Sequence, residues 1–347
     1  MILVRLVVAF RLHNAASSSE LQELPKTFVC GEGDRNLMSD EQVQPEKPYG
    51  VCLLGLEHQI ADDIQFKNGI IAGPPPSRLR NAIMDMAKVL RPDQKWEIQN
   101  RPTWLTAEVK KPELQVVVQQ QILDTAIGLQ VASPIGCEYF IALTHVFSSA
   151  GDSVLDRGSL TSPEWSRRTA PQLANAIDCQ FIVDTVVDAF TNKSRIVNPL
   201  RLFELGLQSD QLYIRTMLWT TALDGLLMAV QKQLFINRLC KYLGEGHAVF
   251  PPVPGITVRQ MTLRDVALNL FELRSNVAHG VKISEKFWKP LSPVVPASGA
   301  VAYDRTPTLA AYLEEASLLL LTTVLRKIIH EDIGIIDHPK VWRSRLS

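Results

Sequence analysis

The ten residues FELRSNVAHG, positions 271–280, decide how the second half of the chain is read. An apolar-periodic segment runs into Arg274, then His279, then Gly280. Working outward, Val266, Leu270, Leu273 and Val277 recur at the spacing of one apolar helix face. Thr262 stands three residues before Asp265, close to a capping box, and marks a helix start. Gly280 sits just past the end, where a left-handed backbone costs little. The pattern predicts a helix over 262–279. At about 100° per residue, Arg274 flanks the apolar stripe and His279 falls nearly opposite it. Asp265, Asn269, Glu272, Asn276 and His279 form a separate polar stripe, expected to face away from the core. A histidine before a terminal glycine is also ordinary helix punctuation, because its cation suits the dipole.

The same periodicity predicts helices over 171–190, 211–234 and 308–329. Residues 1–165 read differently. ILVRLVVAF (2–10), PYGVCLLGL (48–56) and WLTAEV (104–109) are strand-like, and PELQVVVQQQILDTAIGLQ (112–130) is helical with Pro112 in its first turn. GPPPS (73–77) is a turn signal. GDSVLDRGSLTSPEWS (151–166), rich in glycine, serine and charge, reads as a loop or boundary. The expected organisation is α+β: a mixed domain over 1–165, then an all-α bundle over 166–347 joined by loops at 250–255 and 290–299. Within the bundle, Leu223, Leu227, Val266, Leu270, Leu273 and Val277 are the expected core.

With 36 Lys+Arg against 36 Asp+Glu, the formal charge is zero. That argues against a broad, sequence-blind nucleic-acid coat but leaves room for a small basic cleft. The five cysteines show neither paired CxxC nor metal spacing, so reduced thiols are expected, with no metal and no cofactor. Arg5 and Arg11 interrupt and close the apolar opening, unlike a secretory signal. The run ASLLLLTTVL (316–325) is too short to span a bilayer. A soluble cytoplasmic protein without membrane partners is the expectation.

The phrase ELRSNVAHG (272–280) resembles the Arg-x4–6-His signature of the HEPN superfamily, and more narrowly the Apea-like HEPN group, where an LRS…HG phrase closes a core helix. Upstream, NPLRLFELGLQSDQLYIRTMLWTTALDGLL (198–227) is similar to that group's short R-x-F segment followed by a helix with an A-L-E-x-L-L core. The resemblance covers roughly 195–330. It implies a helical bundle that pairs into a homodimer, and in many members a metal-independent RNase whose arginines and histidines share one cleft. Arg274 and His279 match the signature. Asp224 takes the place of the usual glutamate, one carbon shorter. Ser275 follows the arginine where many members have Asn, Asp or His, and Asn276 offers a further polar contact.

The chemistry is coherent with that implication. Metal-free RNA cleavage needs a base for the 2′-OH proton, an acid for the leaving oxygen, and fixed positive charge on the phosphate. Histidine transfers protons near neutral pH, and the arginine fork suits phosphate. One chain supplies one such histidine; two chains supply two. Arg215, with Arg201, is placed as a substrate-binding candidate lining the cleft. His247 falls in a loop, and Glu314 and Glu315 are expected as surface charges. Two readings follow from the resemblance. One is an endoribonuclease leaving 2′,3′-cyclic phosphate or 3′-phosphate ends, with the first domain sensing or gating, as in bacterial antiphage defence or toxin effectors. The other is a non-catalytic HEPN module binding RNA, nucleotide or protein.

Overall fold

The computed structural model describes residues 50–56, 63–74, 103–132, 139–146, 153–158, 176–209, 211–250, 261–291 and 308–347. The apolar opening, the expected loops at 251–255 and 292–299, and the expected boundary at 165 lie outside them. Six strands form one antiparallel sheet: β1 (Gly50–Leu56), β2 (Ile64–Gln65), β3 (Ile71–Gly73), β4 (Thr103–Val109), β5 (Tyr139–Val146) and β6 (Ser153–Gly158), in the order β2-β3-β4-β1-β5-β6. The central pairs run Gly50↔Val109 and Gly50↔Val146, and a bulge interrupts β1–β5 between Leu54 and Leu56. Strand β6 corrects the expected loop at 151–166. Its polar sequence suits an edge strand, and it pairs as a hairpin with β5 just before it, which its glycine, serine and charge content does not announce.

Helix α1 (Gln115–Ala132) packs on the sheet, and α2 (Ala176–Thr191) packs on α1. The second half of α1 is therefore buried all round, from Thr125 through Val131. Gly128 makes the α1–α2 approach: a Cβ there would lie 2.9 Å from the Val183 Cα. Gly128→Ala is expected to destabilise the chain by about 1–3 kcal/mol in denaturant unfolding, despite alanine's better helix propensity, because backbone must move to admit the methyl. Stability equal to or above wild type would contradict that packing. The β2–β3 turn is held to α2, with the Lys67 N–H donating to Asp184 Oδ1 at 2.8 Å and Lys67 Nζ donating to Asp188 Oδ2 at 2.7 Å.

The described residues after α2 are mostly helical: α3 (Val197–Gln208), α4 (Leu212–Leu227), α5 (Lys232–Leu243), α6 (Leu263–Ala278), α7 (Leu309–Lys327), α8 (Ile333–Ile336) and α9 (Pro339–Leu346). A single π turn, Ile328–Asp332, joins α7 to α8. Helix α3 pairs with α4, and α4 packs against α6 and α7. Leu223, Leu227, Val266, Leu270 and Leu273 are fully buried; Val277, expected with them, is only partly so. The fold is thus α+β, with its sheet in the first half and helices dominating the second. No helix among the described residues is long and apolar enough to cross a membrane.

One expected helix is two. The predicted segment 211–234 breaks at Met228, whose φ is +51°. The Ala229 N–H donates to the Asp224 carbonyl and the Met228 N–H to the Gly225 carbonyl, the paired bonds of a left-handed helix stop. Val230, at helical spacing from Leu223 and Leu227 but past the break, is 84% exposed.

Candidate functional site

Helix α6 forms as its sequence predicts. The Thr262 hydroxyl accepts the Asp265 N–H at 3.1 Å and donates to the Asp265 carboxylate at 2.6 Å. At the other end Gly280 adopts φ +64°, the Val281 N–H donates to the Asn276 carbonyl, and His279 is the exposed terminal residue. The polar stripe does not all face away from the chain. The short 3₁₀ turn Glu285–Trp288 folds back along it, and Lys286 Nζ donates to Asn269 Oδ1 at 3.1 Å and Glu272 Oε2 at 2.8 Å. That leaves the end of the stripe, Asn276 and His279, without such a cover among the described residues.

Arg274 turns toward α4. Its Nη2 lies 2.9 Å from Asp224 Oδ2, so the shorter aspartate does reach. Its Nε lies 3.4 Å from the Thr221 hydroxyl, which itself donates to the Met217 carbonyl, and its guanidinium carbon is 5.3 Å from the Phe271 ring centre. The Arg274 side chain is 24% exposed. Asp224 is nearly buried, and its Oδ1 has no hydrogen-bond partner. Burial pushes its carboxyl above the usual aspartate value, and Arg274 opposes the rise. The structure thus brings Arg274 and Asp224 together and leaves His279 exposed about 7 Å further along the helix axis. Ser275 and Asn276 lie between them, half-buried, and their carbonyls serve the helix end.

Arg215 is elsewhere. It lies nine residues before Asp224 on α4, a rise of roughly 13 Å. Its Nε bonds Glu314, and its Nη1 donates to the Ser209 carbonyl at 2.9 Å. Arg201 is engaged as well, 3.1 Å from both Asp124 and Glu204 and 4.3 Å from the Phe190 ring centre. His247 is half-buried after α5; burial and the nearby Lys327 push its pKa down.

Glu314 and Glu315 correct an expectation, since both are buried in α7. Arg215 supplies the counter-charge for Glu314, whose carboxyl burial still raises. Burial, then the neighbouring Glu314, pushes Glu315 up to about 7. A carboxyl raised in the folded state favours folding when protonated. That stability is full below the ordinary value of 4.5 and is lost as pH rises through about 7. The loss is at most about 3 kcal/mol. Glu315→Gln is therefore expected to raise the melting temperature at pH 8, with the gain vanishing near pH 4. An equal gain at both pH values would refute this.

Three residues near the C-terminal end of α4 were not singled out from sequence: Arg195, Arg238 and Arg343. Their signals were present only as basic residues in NKSRIVNP, LFINRLCK and PKVWRSRL, with no spacing to relate them. No family model matches the chain, and no curated protein or solved structure matches it. Fold and site together define an α+β protein whose helical part presents an Arg-x4-His helix end backed by a partly buried Asp–Arg pair.

Proposed function

We propose that this protein is a HEPN-type, metal-independent endoribonuclease acting through Arg274 and His279, as a homodimer that joins two such helix ends in one cleft. The observation that supports it best is the Asp224–Arg274 pair, which holds the guanidinium at 2.9 Å while Nη1 keeps no partner among the described residues. A held guanidinium with a free N–H edge suits a phosphate whose charge grows in the transition state. His279, exposed one turn on, is the proton-transfer group. Ser275 and Asn276 supply polar contacts beside it. In this reading Asp224 positions Arg274, and Arg215, tied to Glu314, lies along the substrate's approach rather than at the reacting phosphate. The sheet-bearing first half senses or gates, in the setting of a cytoplasmic antiphage or toxin effector.

One observation favours the second reading, a non-catalytic module binding RNA, nucleotide or protein: Asp224 already neutralises Arg274, so a phosphate must compete with it. RNA cleavage in EDTA by the wild-type chain, absent in His279→Ala, decides between them. A dimer by light scattering accompanies the first reading; a monomer with full activity contradicts it.

A further inference from the structure

The C-terminal end of α4 carries more positive charge than its own carbonyls require. Arg195 Nη2 donates to the Gly225 carbonyl at 3.2 Å. Arg238 Nη1 donates to the Leu227 carbonyl at 2.9 Å and the Met228 carbonyl at 2.6 Å. The Trp342 indole N–H donates to the Leu226 carbonyl at 2.7 Å. Together with the helix-stop bonds to Asp224 and Gly225, these satisfy the end of the helix. Two of the donors are cations, the usual complement to this end of the dipole.

Arg343 is a third cation with no carbonyl left to serve. It follows Trp342, whose buried indole anchors α9 two residues from Asp224. Arg343 is exposed and forms no ion pair with a carboxylate among the described residues. Its charge reaches both neighbours: it helps, after burial, to lower the pKa of Arg195 and of Arg238. Among the described residues, Asp337 is the carboxylate that opposes the cluster. It accepts the Arg195 N–H at 2.6 Å and the Ser194 hydroxyl at 3.0 Å. Arg345, two residues on, shows the contrast. It lies 3.2 Å from Asp332 and 3.5 Å from Glu331. Buried Arg238 also has an Nε without a partner. Like charges gathered without matching carboxylates lose less in repulsion when an anion joins them.

We infer that Arg343, seated by Trp342 with Arg195 beside it, is a phosphate-binding position of the RNA site, holding a backbone phosphate next to the one that Arg274 would engage. This rests on the RNA-cleaving reading. The ligand chemistry is a single-stranded RNA phosphodiester, which an exposed guanidinium can bond through two oxygens. No base is read here, so the contribution is sequence-independent and sensitive to salt.

The test uses the full chain carrying His279→Ala, which blocks cleavage, and a fluorescent single-stranded RNA followed by anisotropy across a salt series. Arg343→Glu is expected to weaken binding about tenfold or more, and Arg343→Gln to lower the slope of log K against log salt by about one contact. Lys110→Glu, the same charge change just past β4, is the control and is expected to bind nearly as the parent does. In the cleaving chain, Arg343→Gln should raise KM and leave kcat close to wild type. Arg343→Glu binding as tightly as the parent, or losing no more than Lys110→Glu, overturns the inference while the RNase reading stands. RNA neither bound nor cut by the wild-type chain overturns that reading and the inference with it. Arg343 is exposed, so both variants should fold; circular dichroism matching the parent's checks this.

Discussion

His279→Ala and Arg274→Ala are each expected to lower RNA cleavage by about a hundredfold or more, since each removes a function that supplies an effect of that size. The losses should not add, because both groups act on one transition state. They should differ in what they do to the fold. His279 is exposed at the end of α6, so its removal should cost less than about 1 kcal/mol. Arg274 is the partner of a nearly buried carboxylate that already has one oxygen unpaired. Arg274→Ala should therefore cost about 1–3 kcal/mol, tempered by the arginine's partial exposure. The cost should depend on pH. Burial alone already raises the Asp224 carboxyl, and losing Arg274 raises it further. The extra destabilisation is present at pH 8 and shrinks as pH falls, because protonation relieves the buried charge. Adding Asp224→Asn should restore stability without restoring cleavage. Cleavage surviving in His279→Ala, or vanishing in EDTA and returning with magnesium, would sink the mechanism. DNA cut at a comparable rate would do the same, since DNA has no 2′-OH.

The elements legible in sequence are those whose signals are local. Helix α6 starts at a threonine cap and stops at a glycine with φ +64°, as residues 262–280 indicate. Strands β1 and β4 are short apolar runs and were equally readable. The missed features depend on partners that the local pattern does not name. Strand β6 is polar and owes its strand conformation to β5. The break at Met228 has no glycine or proline to announce it; Arg238 and Trp342 hold the end of α4 from 11 and 116 residues away. Glu314 and Glu315 looked like surface charges because periodicity reports one apolar face. It does not report that α7 is covered on nearly all sides over its first turns, with Arg215 of α4 there to meet a carboxylate. At the candidate site, the Arg274–His279 spacing was readable. The contact that holds Arg274 was expected only from the resemblance, and the arginines at the end of α4 come together only in three dimensions.

Trp342→Ala is expected to produce the largest loss of stability of any single change considered, about 4 kcal/mol or somewhat more. Trp342 is fully buried and stands edge-on to Tyr242, with ring centres 5.6 Å apart. Tyr242 donates to Asp332 at 2.8 Å, and Arg345 donates to the same carboxylate at 3.2 Å, so the ring sits between the end of α4 and the π turn. Truncating a buried tryptophan costs about 3–5 kcal/mol through lost transfer energy and the cavity left behind. The Leu226 carbonyl also loses its donor, which adds about 1 kcal/mol if water does not reach it. In a chain of this size the melting temperature should fall by on the order of 10 °C. Trp342→Phe separates the two contributions, keeping most of the ring volume and losing the N–H, and should cost about 1–2 kcal/mol. It should also leave α9 in place, so Arg343 stays beside Arg195 and RNA affinity holds while stability falls. In Trp342→Ala both should fall. A Trp342→Ala chain that melts within a degree or two of wild type would show that α9 is not docked on the end of α4, and the seating of Arg343 would go with it.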